Sequence, residues 1–173
     1  MVDARTRSFD EFYRGTVDRV VHLVYATTGN RTLAEDCTQE AYAKAWRDWD
    51  RIRQHDDPLS WVRTVARRDA ISQWRKDSNR ARALVRHGVD APAAGPNEDR
   101  VAVRNALQQL PDQLRETVAL FYIADLSIEQ IAHETGSPVG TVKARLHRGR
   151  AQLARLIRAH DPAGPLERSE PDA

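Results

Sequence analysis

Cysteine occurs only once, at Cys37, which excludes an internal disulfide framework and any cysteine-pair zinc or redox motif. Cys37 reads instead as a small buried hydrophobe. No stretch approaches the roughly 18 consecutive apolar residues of a membrane span, and the opening MVDARTRSF lacks the apolar segment of a secretory signal. The expectation is a cytoplasmic protein with no membrane insertion. Phosphate-cradling loops are missing too, since neither G-x-x-x-x-G-K nor G-x-G-x-x-G occurs. The histidines, His22, His55, His87, His133, His147 and His160, show no H-E-x-x-H or similar spacing, so neither a metal nor another cofactor is expected. His55, Asp57 and Ser60 lie close together in the sequence, but no nucleophile turn or oxyanion hole accompanies them. The chain reads as a non-enzyme. Alternating strand patterns of useful length are also lacking, which predicts an all-α fold.

What is present suffices for a core: of 173 residues, 40% are hydrophobic and 30% charged, enough for one ordinary domain or two small ones. Net charge is only +2, but its distribution is uneven. Between Asp57 and Arg86 the basic residues Arg63, Arg67, Arg68, Arg75, Lys76, Arg80, Arg82 and Arg86 outweigh Asp57, Asp69 and Asp77. Pro111 to Gly136 is the reverse, with Asp112, Glu116, Asp125, Glu129 and Glu134 against Arg115 alone. Ser137 to His160 is basic again, carrying Lys143, Arg145, Arg148, Arg150, Arg155 and Arg158 and no acid. Two separated basic segments suit a polyanion binder with two contact points, and on charge alone they suit solvated helix faces equally well.

No proline interrupts a helical period, and Gly88, Pro92, Gly95 and Pro96 mark a linker. The reading is two small helical domains joined by a flexible linker: residues 8–86, a linker over 87–97, residues 98–160, and a disordered tail over 161–173. The first domain reads as three helices. Capping boxes at Ser8 with Glu11 and Thr32 with Glu35 open two of them, and Asp57 before Pro58 opens the third. That third helix is expected to turn Leu59, Val62, Ala66 and Ile71 inward and its basic series outward.

In the second domain Ser127 to Gln130 caps a short helix closed by Gly136, after which Ser137 and Pro138 start a long basic one. A short capped helix, a glycine-containing turn and a basic helix make a helix-turn-helix. Val142, Leu146, Gly149, Leu153 and Leu156 form the packing stripe of the last helix. Thr141, Lys143, Ala144, His147 and Arg148 then face away, small and basic as major-groove reading requires. Asp36, Gln39 and Glu40 share a face of the second helix at spacings of three and four. From spacing alone they are either a protein-docking surface or a solvated face paired to Lys44.

The segment AEDCTQEAYAKAWRDWD resembles region 2.2 of bacterial sigma factors of the extracytoplasmic-function (ECF) group, and PLSWVRTVARRDAISQWRK resembles their regions 2.3 and 2.4. LPDQLRETVALFYIADLSIEQIAHETGSPVGTVKARLHRGRAQL is similar to their region 4. The resemblance implies an RNA polymerase sigma factor that binds core polymerase and directs promoter-specific initiation as a monomer within the holoenzyme. It implies that Asp36, Gln39 and Glu40 dock on the clamp helices of the largest core subunit. Trp61, Arg63, Arg67, Arg68, Trp74 and Arg75 occupy the stretch matching minus-ten recognition, cations for phosphates beside aromatics for a base, although either tryptophan also fits a core. Thr141, Lys143, Ala144, His147 and Arg148 match positions that meet the minus-thirty-five element. Arg68 and Ser72 depart from the asparagine and aspartate common in the family, and His147 stands where a larger residue is frequent. Relatives are commonly restrained by an anti-sigma factor, which is the further partner implied. The alternative from the second domain alone is a stand-alone helix-turn-helix DNA-binding regulator.

Overall fold

The computed structural model describes residues 3–85 and 98–160; the expected linker and C-terminal tail lie outside the described residues. Every regular element among them is a helix: α1 (Ala4–Thr28), α2 (Arg31–Arg47), α3 (Trp49–Ile52), α4 (Pro58–Val85), α5 (Glu98–Gln108), α6 (Asp112–Tyr122), α7 (Ile128–Thr135) and α8 (Val139–His160).

Helix starts in the first module differ from the capping-box reading because other side chains reach the free amides. Asp3 accepts from the Thr6 amide and starts α1 before Ser8, while Asn30 accepts from the Leu33 amide and starts α2 before Thr32. Glu35 pairs with Arg31 instead of closing a box. Asp57 does cap α4, accepting from the Ser60 amide at 3.0 Å with Pro58 in the first turn, where its missing N–H is no loss. The single turn α3 adds a fourth helix, and it buries Trp49 and Ile52.

Val20, Val24, Leu33, Ala34, Cys37, Ala41, Tyr42, Ala45, Ile52, Val62, Ala66 and Ala70 close the core of α1 to α4. Phe9 and Phe12 seal one end against Trp46 and Trp49, at ring separations of 4.9 to 5.2 Å. Cys37 is buried here, as its sequence context implied. Leu107, Leu110, Val118 and Leu146 form the center of α5 to α8.

A third cluster joins the two modules. Leu23 and Ala26 of α1 pack with Ala119, Leu120, Leu126, Ile131 and Val142. Around it, Gln108 donates to the Ala26 carbonyl at 3.1 Å and Arg104 to the Tyr25 hydroxyl at 2.7 Å. The C-terminal half of α1 thus belongs to both cores. α4 runs alongside, and its basic series is not all outward as expected: Arg63 and Arg67 are buried against the second module.

Candidate functional site

Three surfaces carry the residues singled out in the sequence. On α2, Asp36, Gln39 and Glu40 are all exposed, because Ala34, Cys37, Thr38, Ala41 and Tyr42 take the inward positions. Lys44, the cation best placed to neutralise this face, turns to Asp69 of α4 at 2.8 Å and lies 4.0 Å from Glu40. That contact raises the Lys44 pKa, and Asp36 has no ion pair among the described residues. The result is an exposed acidic face that a basic partner fits.

The helix-turn-helix is built as the sequence requires. Ser127 accepts from the Gln130 amide at 3.1 Å while the Gln130 side chain accepts from the Ser127 amide at 2.8 Å, a complete capping box. Gly136 closes α7 at φ 64°, left-handed backbone that glycine adopts without a Cβ clash. Gly149 lets α8 lie close on α6, since a Cβ there would meet the Val118 Cγ2 at 2.6 Å. With Val142 and Leu146 inward, Lys143, Ala144, His147 and Arg148 are exposed and Thr141 is half-buried. Arg145 leaves this row, donating to Ser137 Oγ and Gln113 Oε1, both at 2.9 Å, which ties the turn to α6.

The third set, on α4, is divided. Arg68 and Arg75 are exposed, and Trp61 and Trp74 are half-buried. Arg63 is only 5% and Arg67 2% exposed. The Arg63 Nε donates to both carboxylate oxygens of Glu134 at 3.1 and 3.2 Å, its Nη2 completes the pair, and Ser60 Oγ donates to the same carboxylate at 2.9 Å. Arg67 pairs with Glu116 of α6, and burial lowers its pKa to about 10 against the supporting field of Glu134. Arg75 reaches Asp112 at 3.2 Å. Over Trp74 lies the guanidinium of Arg115, 4.5 Å from the ring centroid, held by Asp112 at 2.7 Å and by the Gln108 carbonyl at 3.0 Å.

Two clefts flank these pairs. One of about 820 Å³ is lined by His55, Trp61, Arg68, Gln130 and His133 among others, and one of about 500 Å³ by Arg67, Arg68, Arg75, Lys76 and Arg145 among others. Sequence reasoning missed the partners Glu116, Glu134, Asp112 and Arg115. The available signal was the acidic block from Pro111 to Gly136, opposite in sign to the basic block between Asp57 and Arg86.

Residues 12–80 match the family described as Sigma-70 region 2, and residues 100–153 match Sigma-70, region 4. The chain is 32% identical over 162 residues to the ECF RNA polymerase sigma factor SigE of Mycolicibacterium smegmatis, covering 88% of this chain and 63% of that longer relative. To the ECF RNA polymerase sigma factor SigW of Bacillus subtilis it is 31% identical, covering 82% of this chain and 84% of the relative. Among solved structures, the fold is shared with the sigma factor RpoE bound to the anti-sigma factor NepR from Bartonella quintana, at a TM-score of 0.74 and 24% identity, covering 87% of this chain and 97% of that one. It is shared also with CnrH in complex with the cytosolic domain of CnrY, at a TM-score of 0.64 and 21% identity, covering 88% and 89%. With both sigma-70 modules in order along one chain and a relative matched over most of its length, the chain belongs to the ECF RNA polymerase sigma factors.

Proposed function

We infer that this chain directs core RNA polymerase to promoters, with the two modules dividing the work. The observation that carries the reading is an exposed, acid-free row on α8, set behind a fully capped helix-turn-helix, in the same chain as the exposed acidic face of α2. Asp36, Gln39 and Glu40 supply the docking face for the clamp helices of the largest core subunit. Thr141, Lys143, Ala144, His147 and Arg148 enter the major groove at the minus-thirty-five element. Trp61, Arg68, Trp74 and Arg75 meet the minus-ten element, cations on phosphates and an aromatic against an unstacked base, while Arg63 and Arg67 of the same stretch are held inside by Glu134 and Glu116. Bond-making chemistry is left to the polymerase. The chain acts where the polymerase is, in the cytoplasm, as a monomer within the holoenzyme, with an anti-sigma factor as a further partner. Two modules on one chain suit this role, because tethering raises the effective concentration of the second contact once the first is made.

Run-off transcription on fragmented genomic DNA with sigma-free core polymerase tests the reading. Discrete new starts sharing a pair of upstream elements are expected with the wild-type chain, and Asp36→Lys with Glu40→Lys is expected to abolish both the starts and polymerase binding. Specific retention of duplex DNA by the chain alone, without any new start, would instead establish the stand-alone regulator.

A further inference from the structure

We propose that Arg145 and Arg150 are positioning residues of the recognition helix: they brace α8 against the two ends of α6 and so set the pose in which its outer row meets base edges, while adding no phosphate contact of their own. The inference rests on the assignment of α8 to the minus-thirty-five element. Counted from the sequence, the six cations of the acid-free stretch Ser137 to His160 are equal candidates for DNA phosphates. The structure divides them. At about 100° per residue, Arg145 and Arg150 fall on opposite edges of the inward stripe of Val142, Leu146 and Gly149, and both turn back onto their own module. Lys143, Arg148, Arg155 and Arg158 are left exposed.

Arg145 donates from Nη1 to Ser137 Oγ and from Nη2 to Gln113 Oε1, both at 2.9 Å. Gln113 lies in the first turn of α6, and Ser137 is itself held to α7 through its amide, which donates to the Ala132 carbonyl at 3.0 Å. One planar guanidinium thus joins the end of α7, the start of α8 and the start of α6, which its fixed fork of donors allows and a single ammonium does not. At the other end of α6, the guanidinium of Arg150 lies over Phe121 and Tyr122, 5.0 and 5.4 Å from the ring centroids. Gly149 sits between the two braces and brings the helices together, the place of its missing Cβ being 2.6 Å from Val118 Cγ2. A rod held at two points along a second rod has its crossing angle fixed, and Lys143, Ala144, His147 and Arg148 ride on that angle. Hydrogen bonds to base edges weaken steeply with misalignment, whereas attraction to phosphates falls off slowly with distance. A slack brace therefore costs discrimination between sequences before it costs affinity for DNA as such.

Fluorescence anisotropy of the full-length chain tests this with two duplexes, one bearing the upstream element found by run-off transcription and one of scrambled sequence. It gives the ratio of the two affinities and, over a salt series, the slope of log affinity against log salt. Gln113→Ala is the deciding variant, because it is uncharged, exposed on α6 and outside the outer row of α8, and takes away the side-chain acceptor of Arg145. Expected is a ratio about two- to tenfold lower, the worth of one lost hydrogen bond, with the salt slope unchanged. Gln113→Glu restores an acceptor and keeps the wild-type ratio. Arg145→Gln and Arg150→Gln lower the ratio and leave the slope alone although each removes a positive charge, whereas Lys143→Gln reduces the slope by about one. A slope reduced by about one in Arg145→Gln and Arg150→Gln makes both arginines phosphate contacts and overturns the brace. A ratio unmoved by Gln113→Ala overturns it as well and leaves the assignment of α8 standing. Equal binding of both duplexes by the wild type overturns that assignment and the brace with it. Circular dichroism checks helix content, and if an arginine variant loses it, the Gln113→Ala and Gln113→Glu pair is read by the same ratio.

Discussion

Arg148 on α8 and Arg63 on α4 are the same side chain on two basic helices, yet one is open to solvent and the other is clamped by a carboxylate pair. The difference lies in what each helix packs against. α8 buries Leu146 and Gly149 against its own module and Val142 in the cluster shared with α1, and leaves its outer row free. α4 buries Val62, Ala66 and Ala70 against α1 and α2, and its flank is covered by a second module that carries opposite charge. A basic helix therefore says little about availability until the partner on each flank is known.

The largest expected effect separates the two arginines by stability. Arg63→Ala leaves the Glu134 carboxylate buried without its cation and is expected to lower stability by about 3 to 5 kcal/mol. Arg148→Ala removes an exposed side chain and should stay within about 0.5 kcal/mol of wild type. Thermal unfolding of both variants checks this, and equal shifts would erase the distinction between clamped and free. DNA binding should rank them the other way. Lys143→Ala or Arg148→Ala is expected to weaken binding of a duplex bearing the minus-thirty-five element by about 1 to 3 kcal/mol, with Arg63→Ala close to neutral, as read by fluorescence anisotropy of the free chain. The smallest effect concerns α7, which bears Glu134 and also leads into the turn before α8. Ser127→Ala should weaken this helix by about 1 kcal/mol, seen as faster amide exchange in α7 with α2 unchanged.

Much of this arrangement was legible in the sequence because it is local. The helical class, the Asp57 cap, the Ser127 box, the Gly136 turn and the inward stripe of α8 all follow from neighbours within a few positions. The starts of α1 and α2 were misplaced for a related reason: several capping residues compete within one turn, and Asp3 and Asn30 prevail over Ser8 and Thr32. The orientation of Arg63 and Arg67 was not legible. Their partners lie 71 residues away for Arg63 and in a different module for both, and helical periodicity within α4 carries no record of a distant carboxylate. Opposite charge blocks hold that information only as a complementarity between segments, without saying which residue meets which.

One further property follows from the way α1 serves two cores. Leu23 and Ala26 are covered by Leu120, Leu126 and Ile131, so parting the modules bares an oily strip on each half. Expressed separately, the two halves would each carry a patch prone to self-association, so the intact chain is its own solubility tag, and an opened form is best handled already bound to a larger partner.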